Sequence, residues 1–398
     1  VDKYLNHTIR IPQSHQGGLD WPTDSQGNIP LDPSSRIQHH KTTWEAKTDT
    51  RKNPPNLQQK LWLQQLMRTS NKLTPQQAQE ITQEITLSEL QDAYHRIKPQ
   101  SAPGPTGIRN AQWKNSPPNM QVLILDLFNN IYETGAIPEE MKNGTIYPIP
   151  KDPTKTCTSQ NARPLTMLET GLKIMTQILS NRITKTLTYT PMYTPTQYAF
   201  LPGKTILDPL RLIEHAQADA RLNNKEIHQT FLDLTQAFDR LEFWAGEMAL
   251  KRMNYPDKFN KLIHNLNVDS RRRIVTKDGN TTDWKLQCGI AQGEVLSPIR
   301  FITVMDMLAT WLAMRANGCN PSKKNTGYTI KPKKSTRVTQ TTQIPTHKLN
   351  AILYCDDISI TTDNFDDMQD QVGIISEFMT TFGIQINNNK SFYTMKIS

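Results

Sequence analysis

Cysteine is scarce in this chain of 398 residues: Cys157, Cys288, Cys319 and Cys355 stand far apart, with no C-x-x-C and no paired Cys/His spacing. That excludes a zinc ribbon, a zinc knuckle and a disulfide scaffold. Long apolar runs are missing too. No stretch approaches 18 apolar residues, so no segment reads as a membrane-spanning helix. Val1 to Arg10 lacks the apolar core of a signal peptide, which predicts an intracellular protein of nucleus or cytoplasm. The chain opens on Val rather than Met, as an excerpt of something longer would. Apolar residues make up only 36%, above the range of wholesale disorder but low enough to expect loosely ordered segments. Acidic residues are outnumbered, 37 Asp+Glu against 46 Lys+Arg, and the net charge of +9 suits a polyanion partner. The length implies two or three domains or one multi-lobed enzyme.

No repeat of fixed period runs through the chain. Residues 1–60 are polar and punctuated by proline (Ile11-Pro12, Trp21-Pro22, Ile29-Pro30, Asn53-Pro54-Pro55), which predicts a loose or draped extension. Thr86-Leu87-Ser88-Glu89 is a capping box. Leu90, Ala93, Tyr94 and Ile97 follow at helical spacing, and Pro99 stops the helix. A second helix is expected from about Met120 to Tyr132, ended by Gly135. Thr145 to Ile149 reads as a short edge strand, because Pro148 cannot donate within a central ladder. Longer helices are expected at about 168–187 and 206–222.

From His228 the period changes to two. His228 to Leu234 reads as a strand, followed at once by an amphipathic helix to about Met253. Arg273–Thr276 and Trp284–Leu286 flank Asp278-Gly279 as a hairpin. A helix is expected at about 297–316. Residues 321–350 hold seven Lys/Arg and no acid, a solvated basic loop or insert. Leu349 to Tyr354 and Ile358 to Ile360 flank Asp356-Asp357 as a second hairpin. Phe365, Met368, Val372, Ile375, Met379 and Phe382 form a helical stripe ended by Gly383, and Ile384 to Ile386 make a last strand. Antiparallel strands with helices on one face predict an α+β, palm-like domain.

Two acidic points fall on strands in this arrangement: Asp233 ends an apolar strand, and Asp356-Asp357 occupy a hairpin tip. Carboxylates at neighbouring strand ends supply hard oxygen ligands for two divalent cations without loop flexibility. Such a pair can activate a hydroxyl and hold the leaving oxygens of an in-line phosphoryl displacement. Taken alone, an Asp pair in a turn reads more simply as solvated.

The surroundings change that balance. Tyr354-Cys355-Asp356-Asp357 resembles the Tyr-x-Asp-Asp signature of reverse transcriptases, and Phe231-Leu-Asp-Leu-Thr-Gln-Ala-Phe-Asp239 is similar to that family's first carboxylate motif. Gly289-Ile-Ala-Gln-Gly-Glu-Val-Leu-Ser-Pro298 resembles its Gln-Gly motif, and Arg163-Pro-Leu-Thr-Met-Leu168 its fingers motif. Pro103-Gly-Pro-Thr-Gly-Ile108, Ile149-Pro-Lys151 and Gln197-Tyr-Ala-Phe-Leu-Pro-Gly203 resemble further blocks of non-LTR (LINE-like) retrotransposon reverse transcriptases. Seven blocks in the family's order, over residues 103–398, make the resemblance specific.

What the resemblance implies is a right-hand polymerase fold of fingers and palm, with an antiparallel palm sheet backed by helices. Residues 1–85 would be the N-terminal extension, 86–215 the fingers region and 216–398 the palm, with 241–290 a finger/palm insertion and 321–350 the basic loop. The chain stops before the hairpin and helical thumb that would follow. The implied activity is RNA-directed DNA polymerisation with two Mg²⁺ ions (Mn²⁺ as the alternative), an RNA template, a DNA primer and dNTPs, and no membrane. Asp233 and Asp356 would be metal ligands, with the Leu234 carbonyl as a third, and Asp357 a neighbouring carboxylate of lesser weight. Lys151 and Arg163 would grip the triphosphate, Phe238 would exclude a 2′-hydroxyl from the start of the following helix, and Gln292 and Gly293 would let backbone approach the nucleotide or template. Lys390 aligns with a general acid for the leaving pyrophosphate. Thr106 departs from the pattern, standing where Asp is usual, and Glu294-Val295 replace more common residues. The competing reading is a repurposed RNA-binding fragment, similar to a maturase-type splicing cofactor.

Overall fold

A computed structural model describes residues 32–49, 53–56, 60–68, 72–152, 154, 157–158, 161–189, 192–316, 327–330 and 347–396. In chain order the helices are α1 (Pro33–Lys47), α2 (Leu61–Arg68), α3 (Pro75–Thr82), α4 (Leu87–Arg96), α5 (Asn110–Lys114), α6 (Pro118–Thr134) and α7 (Glu139–Lys142). Strands β1 (Gly144–Pro150) and β2 (Ala162–Leu168) lead to α8 (Thr170–Tyr189) and α9 (Leu207–Leu222), then β3 (Ile227–Leu232) and β4 (Leu234–Thr235). Next come α10 (Phe243–Arg252), α11 (Asp257–Asn267), β5 (Arg271–Thr276), β6 (Gly279–Asn280), β7 (Trp284–Lys285) and α12 (Ser297–Ala316). The last elements are β8 (Tyr328–Ile330), β9 (His347–Leu349), β10 (Ala351–Tyr354), β11 (Asp357–Thr362), α13 (Phe365–Phe382), β12 (Gln385–Ile386) and β13 (Phe392–Lys396). They form two compact, discontinuous units, residues 1–53, 73–186 and 238–297 in one, and 54–72, 187–237 and 298–398 in the other. The boundaries therefore differ from three successive blocks, since the chain crosses between units several times.

The first unit is built on a sheet of order β2-β1-β5-β6, with β7 also on β5. The expectation of an edge strand at Thr145–Ile149 is corrected: β1 is central, antiparallel to β2 and parallel to β5. Proline is tolerated there because β5 pairs only Gly144–Ile146, and Pro148 faces Pro164 on β2, so no amide hydrogen is missed. Residues 33–47, expected to be loose, form a helix. Asp32 caps it through the Ser35 amide, Pro33 pre-sets its first turn, and Trp44 is buried with Ile146, Ala162, Ile274 and Trp284. Arg36 locks it with a two-pronged ion pair to Asp278, at 2.8 and 2.7 Å. A cap, one buried indole and a fork leave no apolar stripe in the sequence, which is why periodicity missed the element.

The Thr86 capping box is present, with Glu89 also forked by Arg182. A second box, Thr74 with Gln77, starts α3. Helix α6 ends at Gly135, whose φ of 72° suits glycine. Leu168 belongs to β2, not to the following helix, which begins at Thr170.

The second unit carries a four-stranded antiparallel sheet of order β10-β11-β3-β13. Its core includes the fully buried Phe301, Leu308 and Leu312 of α12, and Phe378 and Phe382 of α13. Gly383 ends α13 at a φ of 75°, as its sequence stripe implied. Two strands differ from expectation. Leu349 leaves the Asp-Asp hairpin and pairs with Tyr328 in a separate ribbon, so the basic segment 321–350 opens and closes in β8 and β9; its residues 321–326 and 331–346 lie outside the described residues. The last strand is Phe392–Lys396, which joins the edge of β3; Gln385–Ile386 instead pairs with the short β4. No helix among the described residues is long and apolar enough to cross a membrane.

Candidate active site

Strand β3 is buried along nearly its whole length (Ile227, His228, Gln229, Thr230 and Leu232), as a central strand demands, and Asp233 is the first polar residue at its end. Leu232 pairs with Ile358, so Asp233 comes one step further on, beside Asp357. Tyr354 and Asp357 close a two-residue hairpin loop of Cys355 and Asp356. Cys355 holds a φ of 59°, a strained conformation for a side-chain-bearing residue. Its buried thiol is pushed up, by burial first and by the Asp356 charge next.

The carboxylates crowd one another. Asp357 is raised by burial, then by the charges of Asp356 and Asp233, with Lys390 opposing. The turn after β12 wraps Asp233. Asn387 donates its side-chain amide to Asp233 Oδ2 at 2.9 Å and its backbone amide to the Asp233 carbonyl at 2.8 Å. The Asp233 amide donates to Ser391 Oγ at 3.2 Å, and Lys390 Nζ lies 3.8 Å from Oδ2. The Lys390 side chain is 67% exposed, so this ammonium is free to swing. Leu234 sits in β4 paired with Ile386, its side chain in the core. A cavity of about 380 Å³ adjoins the group, lined by Asp233, Asp357 and Lys390 with Ile206, Phe231 and Phe392. Among the described residues no three His, Cys, Asp or Glu side chains form a complete metal-binding set. The donor chemistry nevertheless fits a hard divalent cation: oxygen ligands with surplus negative charge, of which Asp357 already feels the excess.

The remaining candidates belong to the first unit. Lys151 follows β1 and Arg163 lies on β2 opposite Ile149; both are exposed, and the Lys151 amide donates to Asn161 O at 2.7 Å. Phe238 is half-buried in a turn, not at the start of a helix as expected. Gln236 takes a φ of 51° just after β4, and the next helix waits until Phe243. The Gln-Gly loop is stapled on two sides. Ile290 N–H donates to Phe238 O and Gly289 N–H to Leu241 O, both at 2.8 Å, while Thr166 N–H on β2 donates to Gln292 O at 2.8 Å. So Phe238, Gln292, Gly293 and the Arg163 strand are assembled in one piece. Gly293 has a φ of 125°, and a Cβ there would lie 2.6 Å from the Thr166 carbonyl oxygen. The close backbone approach it permits is thus to β2.

Four features escaped the sequence. Asn387 and Ser391 secure Asp233; the only hint was an Asn-rich turn after a strand. Asp239 is surrounded by charge, and burial pushes it up to about 6 against the pull of Lys47 and Lys151. Lys47, at the end of α1 and 3.7 Å over the Trp44 ring, is pushed down to about 8 by burial, with Asp239 opposing. Thr106, the departure from the Pro-Gly-Pro-x-Gly block, donates its amide and hydroxyl to Glu169 at 2.7 Å each. An Asp there would face a carboxylate.

An antiparallel sheet with helices behind it, presenting carboxylates at a strand end and hairpin tip, defines the palm of a right-hand nucleic-acid polymerase. The profile of the family described as "Reverse transcriptase (RNA-dependent DNA polymerase)" matches residues 149–397. The chain belongs to this family, as a domain of the non-LTR, LINE-like kind. It is 23% identical over 290 residues to a retrovirus-related Pol polyprotein from a type-1 R2 retrotransposable element of Nasonia vitripennis, covering 73% of this chain and 25% of that protein. It is 26% identical over 215 residues to the RNA-directed DNA polymerase from mobile element jockey of Drosophila funebris, covering 54% and 23%. The chain spans about a quarter of the length of these curated relatives. Among solved structures, a C-terminally truncated apo telomerase from Candida tropicalis is similar at 13% identity and a TM-score of 0.43, covering 69% of this chain and 56% of that one. Polymerases of this family generally work with divalent cations.

Proposed function

We propose that the chain catalyses RNA-directed DNA synthesis for a retroelement, extending a DNA primer on an RNA template from dNTPs. The observation that carries this reading is the convergence of Asp233, at the end of the central strand, with the Asp356-Asp357 hairpin in a chain of this family. Asp233 and Asp356, with the Leu234 carbonyl, would hold two Mg²⁺ or Mn²⁺ ions, and Asp357 would add charge beside them. Bound there, the ions would activate the primer 3′-hydroxyl and neutralise the leaving pyrophosphate.

The chain's own groups do the rest. Asn387 holds the Asp233 carboxylate in one orientation, which pre-organises a ligand on a rigid strand. Lys390 sets an exposed Nζ beside Asp233, placed to donate to a departing oxyanion. Arg163 offers an exposed planar fork that matches phosphate oxygens, and Lys151 a point charge. Phe238 presents a ring on a turn pinned by Ile290, rigid enough to reject a 2′-hydroxyl by contact. Gln292 and Gly293 would act through the loop they hold against β2, the strand that carries Arg163. Primer extension on poly(rA)/oligo(dT) with Mg²⁺ tests the reading. Asp356→Asn should lose several kcal/mol of transition-state stabilisation, about a thousandfold in rate or more, while RNA binding persists. Equal extension by variant and parent would overturn it.

A further inference from the structure

Away from the carboxylates, a cavity of about 180 Å³ opens between the C-terminal half of α9 and the strands β3 and β13. Its walls are Gln217 and Arg221 of α9, Ile227 and Gln229 of β3, and Thr394, Met395 and Lys396 of β13. Two cations, two amides and a hydroxyl line it, and no carboxylate does. Lys396 Nζ donates to the Ala220 carbonyl at 3.1 Å, which holds the ammonium at the wall. Gln217 donates to Gln229 Oε1 at 2.7 Å, so these amides are fixed in place, and each amide nitrogen has a second hydrogen to offer. The negative end of α9 accounts for a basic residue in its last turn. Arg221 is that residue, and its exposed guanidinium makes no ion pair or hydrogen bond to the described residues, so its donors stay available to a ligand.

The geometry points to a phosphate-binding pocket, with Arg221 and Lys396 as the charged contacts and Gln217 and Thr394 as neutral donors. A guanidinium fork takes two phosphate oxygens in parallel, and the volume, several times that of a water, admits a tetrahedral oxyanion. The phosphate could belong to a polynucleotide backbone or be free. Placement favours the backbone. Ile227, Gln229, Phe231 and Asp233 alternate onto one face of β3, and the same face of α9 lines both this pocket and the cavity beside Asp233. Six residue steps lead from Ile227 to Asp233, about 20 Å, which is roughly six base steps. The backbone source rests on the polymerase reading; the pocket itself does not.

The test measures binding, not turnover, so that failure of the polymerase reading remains distinguishable. Binding of a fluorescent primer–template with a 12-base-pair duplex is titrated for parent, Arg221→Ala and Arg221→Lys across 50–200 mM salt. Inorganic phosphate and pyrophosphate are titrated separately by calorimetry. For the backbone source, Arg221→Ala should weaken the duplex about tenfold and lower the slope of log K against log salt by about 0.9, with Arg221→Lys recovering the slope. A 4-base-pair duplex should then show no difference. For the free source, phosphate or pyrophosphate binding is lost in Arg221→Ala while duplex affinity stays unchanged. Unchanged binding of all three probes in a folded Arg221→Ala variant would overturn the pocket. Absence of primer extension by the parent would count against the polymerase reading alone.

Discussion

Gly293→Ala should separate the Gln-Gly loop from the strand that carries Arg163. At a φ of 125° an L-side chain is strained, at a cost of about 1–2 kcal/mol. The new methyl would meet the Thr166 carbonyl oxygen at 2.6 Å, well inside contact distance, and the oxygen is backbone within a paired strand. Overpacking of this kind typically costs about 1–3 kcal/mol. Relief requires the loop to move outward, which stretches the Thr166 N–H bond to the Gln292 carbonyl, 2.8 Å in the parent. The sum is roughly 2–5 kcal/mol, and a thermal midpoint about 4–20 °C lower for a unit of this size. Function should suffer through assembly: Phe238, Gln292 and Arg163 are held by the same loop, so KM for dNTP should rise more than kcat falls. The assay is a thermal melt with steady-state dNTP titration on both proteins. An unchanged melting temperature and an unchanged KM would refute the argument, because the clash would then have been absorbed without displacement.

Asp239→Asn should change the pH dependence of stability. The folded carboxyl titrates near 6 against 3.8 unfolded, so its contribution is fully present below about pH 4 and is lost as pH rises through 6. Urea unfolding at pH 4.5 and 7.5 should therefore show the parent losing about 2 kcal/mol relative to the variant, and parallel curves would contradict the assignment. Thr106→Asp, which restores the residue usual in its block, should destabilise by about 2 kcal/mol or more. It replaces a hydroxyl donor with a charge facing Glu169, and Thr106→Asp with Glu169→Gln should recover most of the loss in chemical denaturation. Phe238→Ala should admit ribonucleotides while only mildly weakening dNTP use. Its ring is half-buried in a turn, so the melt should fall less than a core truncation would; an unchanged dNTP/rNTP preference in a folded, active variant would return the ring to simple packing.

Much of the second unit was legible because its signals are local. The helix over Phe365–Phe382 declares itself through six apolar residues at helical spacing and a terminal glycine, and the Asp-Asp hairpin through two β-rich runs around a short turn. The motifs then placed Asp233 and Asp357 side by side, as the register of β3 with β11 has them. What periodicity could not reveal are elements that exist by virtue of a distant partner. Helix α1 stands on one buried Trp44 and an ion pair to a residue 242 positions away. Strand β1 tolerates Pro148 in a central position only because its pairing with β5 stops at Ile146. Phe392–Lys396, with exposed side chains at nearly every position, is a strand because β3 offers an edge. The same holds for the site's supports. Asn387 reaches Asp233 across 154 residues, and Thr106 meets Glu169 across 63. Chain-local chemistry determined which carboxylates, fork and ring this protein carries; the long-range pairing of strands and turns decided what holds each of them in place, since hydrogen bonds between distant segments leave no period in a sequence.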